Sequence, residues 1–495
     1  MDFDIILACD DAFGIGKNFD LPWSIKEDMR FFRELTESVP PSQTKLINAV
    51  IMGRVTADIL TKPLPNRINV VITSSIENYH EGFILVKDLD QALKLLSSIT
   101  NINRVFVIGG ARLAESAIYH PRCRSVYLNT IHYDYDCDTC LSQQFRSRLK
   151  GSFVEDNKGS TKTIIATCKK IDTIVMITFR RYIYINHEEQ AYLNMLEKII
   201  TTGDLRQTRN AKTYSVFGEK LVFDLANGFP LLTTKKMFYR GIFEELLFFL
   251  RGYTNTKLLE DNKVMIWHSN TTKEFIINNN KELAEYDMGP MYGFVWRHYG
   301  VRYQGLKVNG INLDYRGQGI DQFKNVVDLI VSDPHSRRIL MTSYDPSQAD
   351  VGVLYPCHGL TIQFYVENNK ISLQMYQRSA DSVLGCPYNI ASYALLLLIV
   401  TELVNNHVDR THQDDYYPGR VIMVFGDTHV YSDEKSNHVL TVKEQLLRRD
   451  KTYPFPTIKF KKALKTIDDV ELMTSSDIEV INYVSHPALT AVMYE

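Results

Sequence analysis

The apolar runs of this chain change rhythm once, near residue 185, and that change leaves few architectures open. Before it, short β-rich runs at 5–9, 49–52, 67–72, 104–108, 125–131 and 174–184 alternate with helical patterns, notably 26–36 and 89–98. Strands separated by helices and joined through glycine turns build crossover connections, so this part is expected to be α/β, a mixed sheet with flanking helices. After it, Asn186-His187-Glu188-Glu189 opens a new helix with a cap residue and acids in the first turn. Its apolar positions are Tyr192, Met195, Leu196, Ile199 and Ile200, and Gly203 stops it. The rest mixes helices (241–251, 321–332, 390–405) with β-runs (359–366, 370–378, 420–425) and reads as a larger α+β domain. The expected division is a first domain over 1–185, a short junction with the first helix of the second part over 186–200, and a second domain over 190–495.

At 495 residues the chain exceeds one ordinary core, yet no low-complexity linker or repeat separates its parts. A formal net charge of −2 gives no bulk attraction to nucleic acid or to an anionic membrane. Nucleic-acid binding is therefore expected as a side activity at most, and no membrane partner is expected. Met1-Asp2-Phe3-Asp4 lacks the basic start of a signal peptide. The longest apolar stretch, 394–400 continuing to 404, is far short of a membrane span and reads as a buried helix. Seven scattered cysteines, an odd number, suit reduced thiols in a cytoplasmic compartment. Cys137-x-x-Cys140 has the spacing of a redox or zinc half-site, but no second pair matches it, and no metal is expected.

Cys357 is the residue with the most chemical promise. It stands in Tyr355-Pro356-Cys357-His358, preceded in the sequence by Arg337-Arg338 and followed by Gln377-Arg378-Ser379. Cations lower a thiol's pKa, the thiolate is the nucleophile, and arginine forks clamp phosphate. The pattern suggests covalent catalysis on a phosphorylated substrate; a small buried hydrophobe is the alternative reading of a lone cysteine. The first part offers three glycine-bearing turns. Gly14-Ile15-Gly16-Lys17-Asn18 leads into Asp20-Leu21-Pro22-Trp23, and Ile51-Met52-Gly53-Arg54-Val55-Thr56 and Val107-Ile108-Gly109-Gly110-Ala111 are strand-to-helix turns. Glycine lets backbone approach a ligand, and helix N-termini accept phosphate.

Together these turns resemble dihydrofolate reductase over about residues 3–184. The resemblance implies NADPH as cofactor and Asp28 as the carboxylate facing the pterin, in an apolar setting with Phe31-Phe32 that raises a carboxyl pKa. It places Ile6, Leu7, Ala8, Phe32 and Ile108 around pterin and nicotinamide, and Arg67 on the α-carboxylate of folate. Arg54, Thr56 and Ser74 would hold the cofactor phosphates, with Ala8, Ile15, Gly16, Gly53, Thr73, Gly109 and Gly110 completing the cofactor contacts. Three positions depart from the family: Ala114 replaces a tyrosine, Asn129 followed by Thr130 replaces a threonine, and Cys140-Leu141-Ser142 lacks an aromatic-Pro ending.

The second part resembles thymidylate synthase over about residues 190–495. The motifs include Asn227-Gly228-Phe229-Pro230-Leu231-Leu232-Thr233-Thr234-Lys235-Lys236, Glu244-Glu245-Leu246-Leu247, Asp333-Pro334-His335-Ser336-Arg337-Arg338, Pro387-Tyr388-Asn389-Ile390-Ala391-Ser392-Tyr393 and Gly426-Asp427-Thr428-His429-Val430-Tyr431. The resemblance implies that Cys357 adds to C6 of dUMP, with Arg378 activating the thiol and holding phosphate. Arg337 and Arg338 resemble a pair reaching across a homodimer interface. Asn389 would read the uracil edge, Gln377 and Ser379 would join the nucleotide site, and His429 and Tyr431 would take the ribose. Glu245 would move protons through water, and Tyr292 would help remove the C5 proton. Trp267 and Asp381 would meet 5,10-methylenetetrahydrofolate, and Asp381 also borders the nucleotide. The phosphate loop departs at Thr208-Arg209-Asn210-Ala211-Lys212, with Arg209 carrying the phosphate role; Asn270, Ala380 and Tyr388 are further departures. The whole chain resembles the fused, reductase-first arrangement of protozoa, in which one unit consumes the dihydrofolate that the other makes. Two other readings stay open in the sequence: one domain serving only as a scaffold, and RNA binding by the substrate-free protein.

Overall fold

The computed structural model describes residues 1–42, 45–74, 81–156, 161–208, 211–306, 314–410, 414–433 and 437–492. It divides into two compact units, Met1–Asn186 with Asp450–Tyr453, and His187–Arg449 with Pro454–Glu495. The second part is thus not one continuous stretch: a short return near residue 450 packs with the first unit. There Asn186 donates its backbone N–H to Thr452 Oγ1 and its amide to the Tyr453 carbonyl.

The first unit is built on a nine-stranded mixed sheet among the described residues. Its order is Lys162–Cys168, Thr173–Tyr184, Cys123–His132, Phe3–Asp10, Ile102–Val107, Ile47–Gly53, Arg67–Ile72, Ile84–Val86, with Phe153–Glu155 also on Thr173–Tyr184. From Cys123–His132 to Ile84–Val86 the neighbours run parallel, and Thr173–Tyr184 is antiparallel to its neighbours. Parallel strands are covered on both faces, which is why Ala49, Val50, Ile51 and Met52 form an unbroken apolar run and are all fully buried. The edge strand Lys162–Cys168 escaped the sequence reading because alternate residues face solvent and its apolar run is short. Strand Phe3–Asp10 sends successive side chains to opposite faces. Ile5 and Leu7 enter one core, whereas Ile6 packs with Phe31, Phe32 and Ile108, and Ala8 packs near Trp23.

The second unit carries a seven-stranded sheet among the described residues, ordered Asp204–Gln207, Lys212–Phe217, Tyr417–Tyr431, Lys370–Asp381, Thr361–Glu367, Leu340–Met341, with Lys220–Asp224 also on Tyr417–Tyr431. Lys370–Asp381 and Tyr417–Tyr431 pair in parallel. The helix Gly385–Asn405 is long and apolar enough to cross a membrane by length and composition, but its residues are the centre of this unit's core. It begins five residues before the expected 390, so Pro387 falls in the first turn, where its missing N–H costs nothing, and Asn389 sits on the helix. Likewise Tyr417–Tyr431 continues well beyond the expected 420–425. Apolarity ends at Phe425, but Asp427, His429 and Tyr431 continue the period of two along one face.

Two glycines mark places where backbones meet. A Cβ at Gly203 would lie 2.3 Å from the Ile199 carbonyl oxygen, so this residue ends the helix His187–Thr202. A Cβ at Gly293 would lie 2.4 Å from the Phe249 carbonyl oxygen and 2.6 Å from its Cα, because the helices Tyr239–Leu250 and Gly293–His298 touch there. Gly293→Ala is expected to destabilise the second unit by about 1–3 kcal/mol. Calorimetry should show that unit's transition falling while the transition of the first unit stays in place.

Candidate active sites

In the first unit the helix Lys26–Glu37 supplies Asp28 within its first turn, where a carboxylate suits the helix dipole. Asp28 is buried, and burial raises its carboxyl above the ordinary range. Asn129 opposes that shift by donating Nδ2–H to Asp28 Oδ1 at 2.8 Å, and Trp23 opposes it too. Asn129, and not the Thr130 beside it, donates to Asp28. Asn129 pairs with Ala8 across the sheet and shares its face, whereas Thr130 pairs with Cys9 on the other and accepts from Arg180 Nη1. The same alternation sends the Leu7 side chain to the opposite face from Ile6 and Ala8. Leu7 Cδ2 instead lies 3.6 Å from where a Cβ on Gly109 would stand.

Two of the three glycine turns meet at the C-terminal ends of their strands. Gly53 donates its N–H to the Gly109 carbonyl at 2.8 Å, and Gly53 and Gly110 are the caps of the helices Arg54–Leu60 and Ala111–Ala117. Neither helix start carries a side-chain cap, so first-turn N–H groups face outward beside the exposed Arg54 and beside Thr56 Oγ1. Two open helix starts and a cation fit a cofactor bearing a pyrophosphate and a further phosphate. Thr73 is buried, and Ser74 is exposed at the following position. Ile15 and Gly16 lie on the strand Gly14–Gly16, paired with Thr139–Cys140. The departure at Ala114 has a packing reason, since this residue is fully buried in the first unit's core. At the far end of the Asp28 helix, Arg67 is buried and donates to Pro65 O, Thr36 Oγ1 and Glu37 Oε1.

In the second unit, Cys357 lies against Tyr292. The Tyr292 hydroxyl is 3.4 Å from Cys357 Sγ and accepts the Cys357 backbone N–H. Burial raises the thiol's pKa, and Tyr292 and Arg378 oppose the rise. Arg378 is held by its Nε–H to the Pro356 carbonyl and its Nη2–H to the Tyr355 carbonyl, and it stacks over the Tyr355 ring. Arg378 is a cation that acts on this thiol, and Arg337 and Arg338 are exposed. Behind Tyr292, the His358 ring stacks at 4.2 Å, and His358 Nδ1 is 2.8 Å from the Tyr393 hydroxyl. Burial drives the His358 pKa down to about 3, so this ring is a neutral support. Both residues lie within sequence motifs, but nothing local in the sequence marks them as supports of Tyr292.

Glu245 is buried on the helix Tyr239–Leu250, and Trp267 Nε1–H donates to its Oε1 at 2.8 Å. Burial lifts its carboxyl to about 7, with the indole bond pulling the other way. Asn389 donates to Gln377 Oε1 at 3.2 Å, and Gln377 in turn donates to the Ser379 carbonyl. His429 Nδ1 pairs with Asp427 Oδ1 at 2.8 Å, Asp427 meets Arg206, and the Tyr431 ring lies against His429. Burial alone would raise Asp381, but His438 and the Val383 N–H outweigh it and hold this carboxyl below the ordinary range. Asp427 and His438 were not singled out in sequence as supports, because nothing in a one-dimensional pattern pairs them with His429 and Asp381. Arg209 lies outside the described residues.

Each unit therefore carries an enzyme site: a reductase site beside a cradle for a phosphorylated cofactor, and a methyl-transferring site around a thiol. Residues 2–170 match the family model of dihydrofolate reductase, and residues 190–495 match that of thymidylate synthase. Over 98% of its length the chain is 37% identical to the bifunctional dihydrofolate reductase-thymidylate synthase of Paramecium tetraurelia, covering 97% of that protein. The corresponding proteins of Zea mays and Leishmania amazonensis are 36% and 35% identical, again over 98% of this chain, with 95% and 94% of their lengths covered. The chain belongs to the bifunctional dihydrofolate reductase–thymidylate synthase family. It reduces dihydrofolate with NADPH and methylates dUMP to dTMP with 5,10-methylenetetrahydrofolate.

Hydrogen bonding to the ionised form of a carboxyl lowers its pKa, so removing the bond raises it. If Glu245, whose carboxyl burial lifts to about 7, sets the carboxyl-dependent limb of dTMP formation, Trp267→Phe is expected to move that limb to higher pH. A pH profile of kcat/KM for dUMP checks the direction.

Proposed function

We propose that the two reactions run on the residues gathered around Cys357 and Asp28. The observation that carries this reading is the contact of the Tyr292 hydroxyl with Cys357 Sγ at 3.4 Å, which pairs a nucleophile with a hydroxyl able to share its proton. In the synthase unit, Cys357 gives up its proton, its sulfur bonds to C6 of dUMP, and the electron pair moves toward C5, which becomes nucleophilic. Arg378 favours the thiolate and takes phosphate. Asn389, oriented by Gln377, pairs with the uracil edge and leaves cytosine mispaired. His429, fixed through Nδ1 by Asp427, offers Nε2 to the ribose hydroxyl beside Tyr431. Glu245, close to half-protonated at neutral pH, relays protons through water, and Tyr292 assists loss of the C5 proton. Trp267 and Asp381 position the folate.

In the reductase unit, Asp28 holds the pterin edge, and its raised pKa lets it pass a proton toward N5. NADPH supplies hydride when bound. Ile6, Ala8, Phe32 and Ile108 exclude water from the ring site, and Thr56 and Ile108 stand where antifolates would touch. Arg67 receives the folate α-carboxylate. Cys357→Ala is expected to abolish dTMP formation and spare dihydrofolate reduction. Asp28→Asn is expected to do the converse, cutting dihydrofolate reduction by about 100-fold or more. Parallel assays of both products on each variant check the assignment.

The chain acts as a homodimer through its synthase unit, with Arg337 and Arg338 serving the partner's nucleotide phosphate. Their exposure supports this. The unpaired state of all seven cysteines supports a cytoplasmic, reducing compartment. In a mixed dimer of Arg338→Ala and Cys357→Ala subunits, one site regains both groups if the arginine acts across the interface. Co-purified mixed dimers are then expected to form dTMP well above either parent variant; activity no higher than the parents means that the arginine acts within its own chain.

A further inference from the structure

The helix Lys26–Glu37 has two buried residues, Asp28 and Thr36, on one face. They lie about 12 Å apart along the axis at 1.5 Å per residue. Asp28 marks the ring end of the site and Thr36 the end where Arg67 waits. The Arg67 side chain is only 2% exposed. Its Nε–H donates to Pro65 O at 2.9 Å and its Nη1–H to Thr36 Oγ1 at 2.7 Å. These two neutral acceptors fix the plane of the guanidinium. The third bond is of another kind. Nη2–H donates at 3.0 Å to Oε1 of Glu37, a carboxylate 27% exposed at the helix's last position. The terminal nitrogens are the part of an arginine fork that a ligand carboxylate uses, and a protein carboxylate already sits on one of them. Arg33, on the same helix, is the other charged group acting on Arg67.

We propose that Glu37 is an internal counter-carboxylate that competes with the glutamate tail of folate for Arg67, and so sets how far the reductase favours ligands bearing that tail over ligands that end at the ring. This rests on the reading of Arg67 as the tail clamp. Two effects act in the same direction. If the tail displaces Glu37, the Nη2 contact is lost; if Glu37 stays, two carboxylates crowd one cation and repel each other. Both weaken the tail's contribution, and neither touches a ligand without a carboxylate. Specificity here is a difference of affinities tuned by a repulsive element.

The test uses the full-length chain and two inhibitors that share a 2,4-diamino ring: methotrexate, which ends in glutamate, and trimethoprim, which carries no carboxylate. Glu37→Gln keeps an acceptor for Arg67 and removes the charge. Equilibrium titration is expected to show methotrexate binding about three- to tenfold tighter and trimethoprim changed by less than about twofold. Trimethoprim binding also reports that the site is folded, and Glu37→Ala carries the same expectation should the Gln variant fail that check. Unchanged or weaker methotrexate binding, with Arg67→Ala still weakening methotrexate selectively, overturns the role of Glu37 and leaves the clamp standing. Arg67→Ala without effect on methotrexate overturns the clamp itself, and the proposal with it.

Discussion

Both units depend on the same physical device, a carboxyl group taken out of water and given very few donors. Among the described residues, Glu245 has the Trp267 indole and Asp28 has the Asn129 amide, with Trp23 beside it. Desolvation penalises the charged form, and one or two hydrogen bonds recover only part of the loss, so each carboxyl titrates above its ordinary range. A fully solvated or fully paired carboxylate would be inert as a proton relay near neutrality. Each apolar wall is therefore also a means of tuning acidity. In the synthase unit Phe249 packs edge-on to Trp267 and beside Tyr292. In the reductase unit the equivalent work falls to Phe31 and Phe32 on the Asp28 helix.

The thiol follows the same logic, with a cation joining the hydrogen bond in the compensation. Burial makes Cys357 a weaker acid, and Tyr292 and Arg378 restore part of its acidity. The backbone is arranged to allow this. Tyr292 takes a φ of 33°, in the left-handed region that a bulky residue rarely occupies, and Gly293 after it lets two helices meet backbone to backbone. Strain at a residue that touches the nucleophile indicates that its hydroxyl position is over-determined by the surrounding packing. The neutral His358, stacked on its other face, adds to that constraint without adding charge.

Much of this was legible in the sequence, and the unread remainder has physical causes. Long motifs and glycine turns mark both sites because they are local: Gly53 next to Arg54, or Pro356 next to Cys357, depends on chain neighbours alone. The two-domain division and the helix end at Gly203 are likewise local signals. Partners from distant segments left no such mark. Asn129 serves Asp28 because strand pairing sets it opposite Ala8, and a shift of one residue would have brought Thr130 instead. The return at residues 450–453 and the pairing of Glu37 with Arg67 are tertiary facts with no one-dimensional signature. Polar alternation also hid the second half of Tyr417–Tyr431, where Asp427, His429 and Tyr431 sit.

The most direct test of the account is to titrate the Glu245 carboxyl itself by infrared difference spectroscopy on wild type and Glu245→Gln. The account predicts a protonated-carboxyl band below neutrality that converts to carboxylate around pH 7 and is absent from the variant. A Glu245 carboxyl that is already ionised at the pH of an ordinary solvated glutamate would contradict it, because burial would then not be what tunes the site.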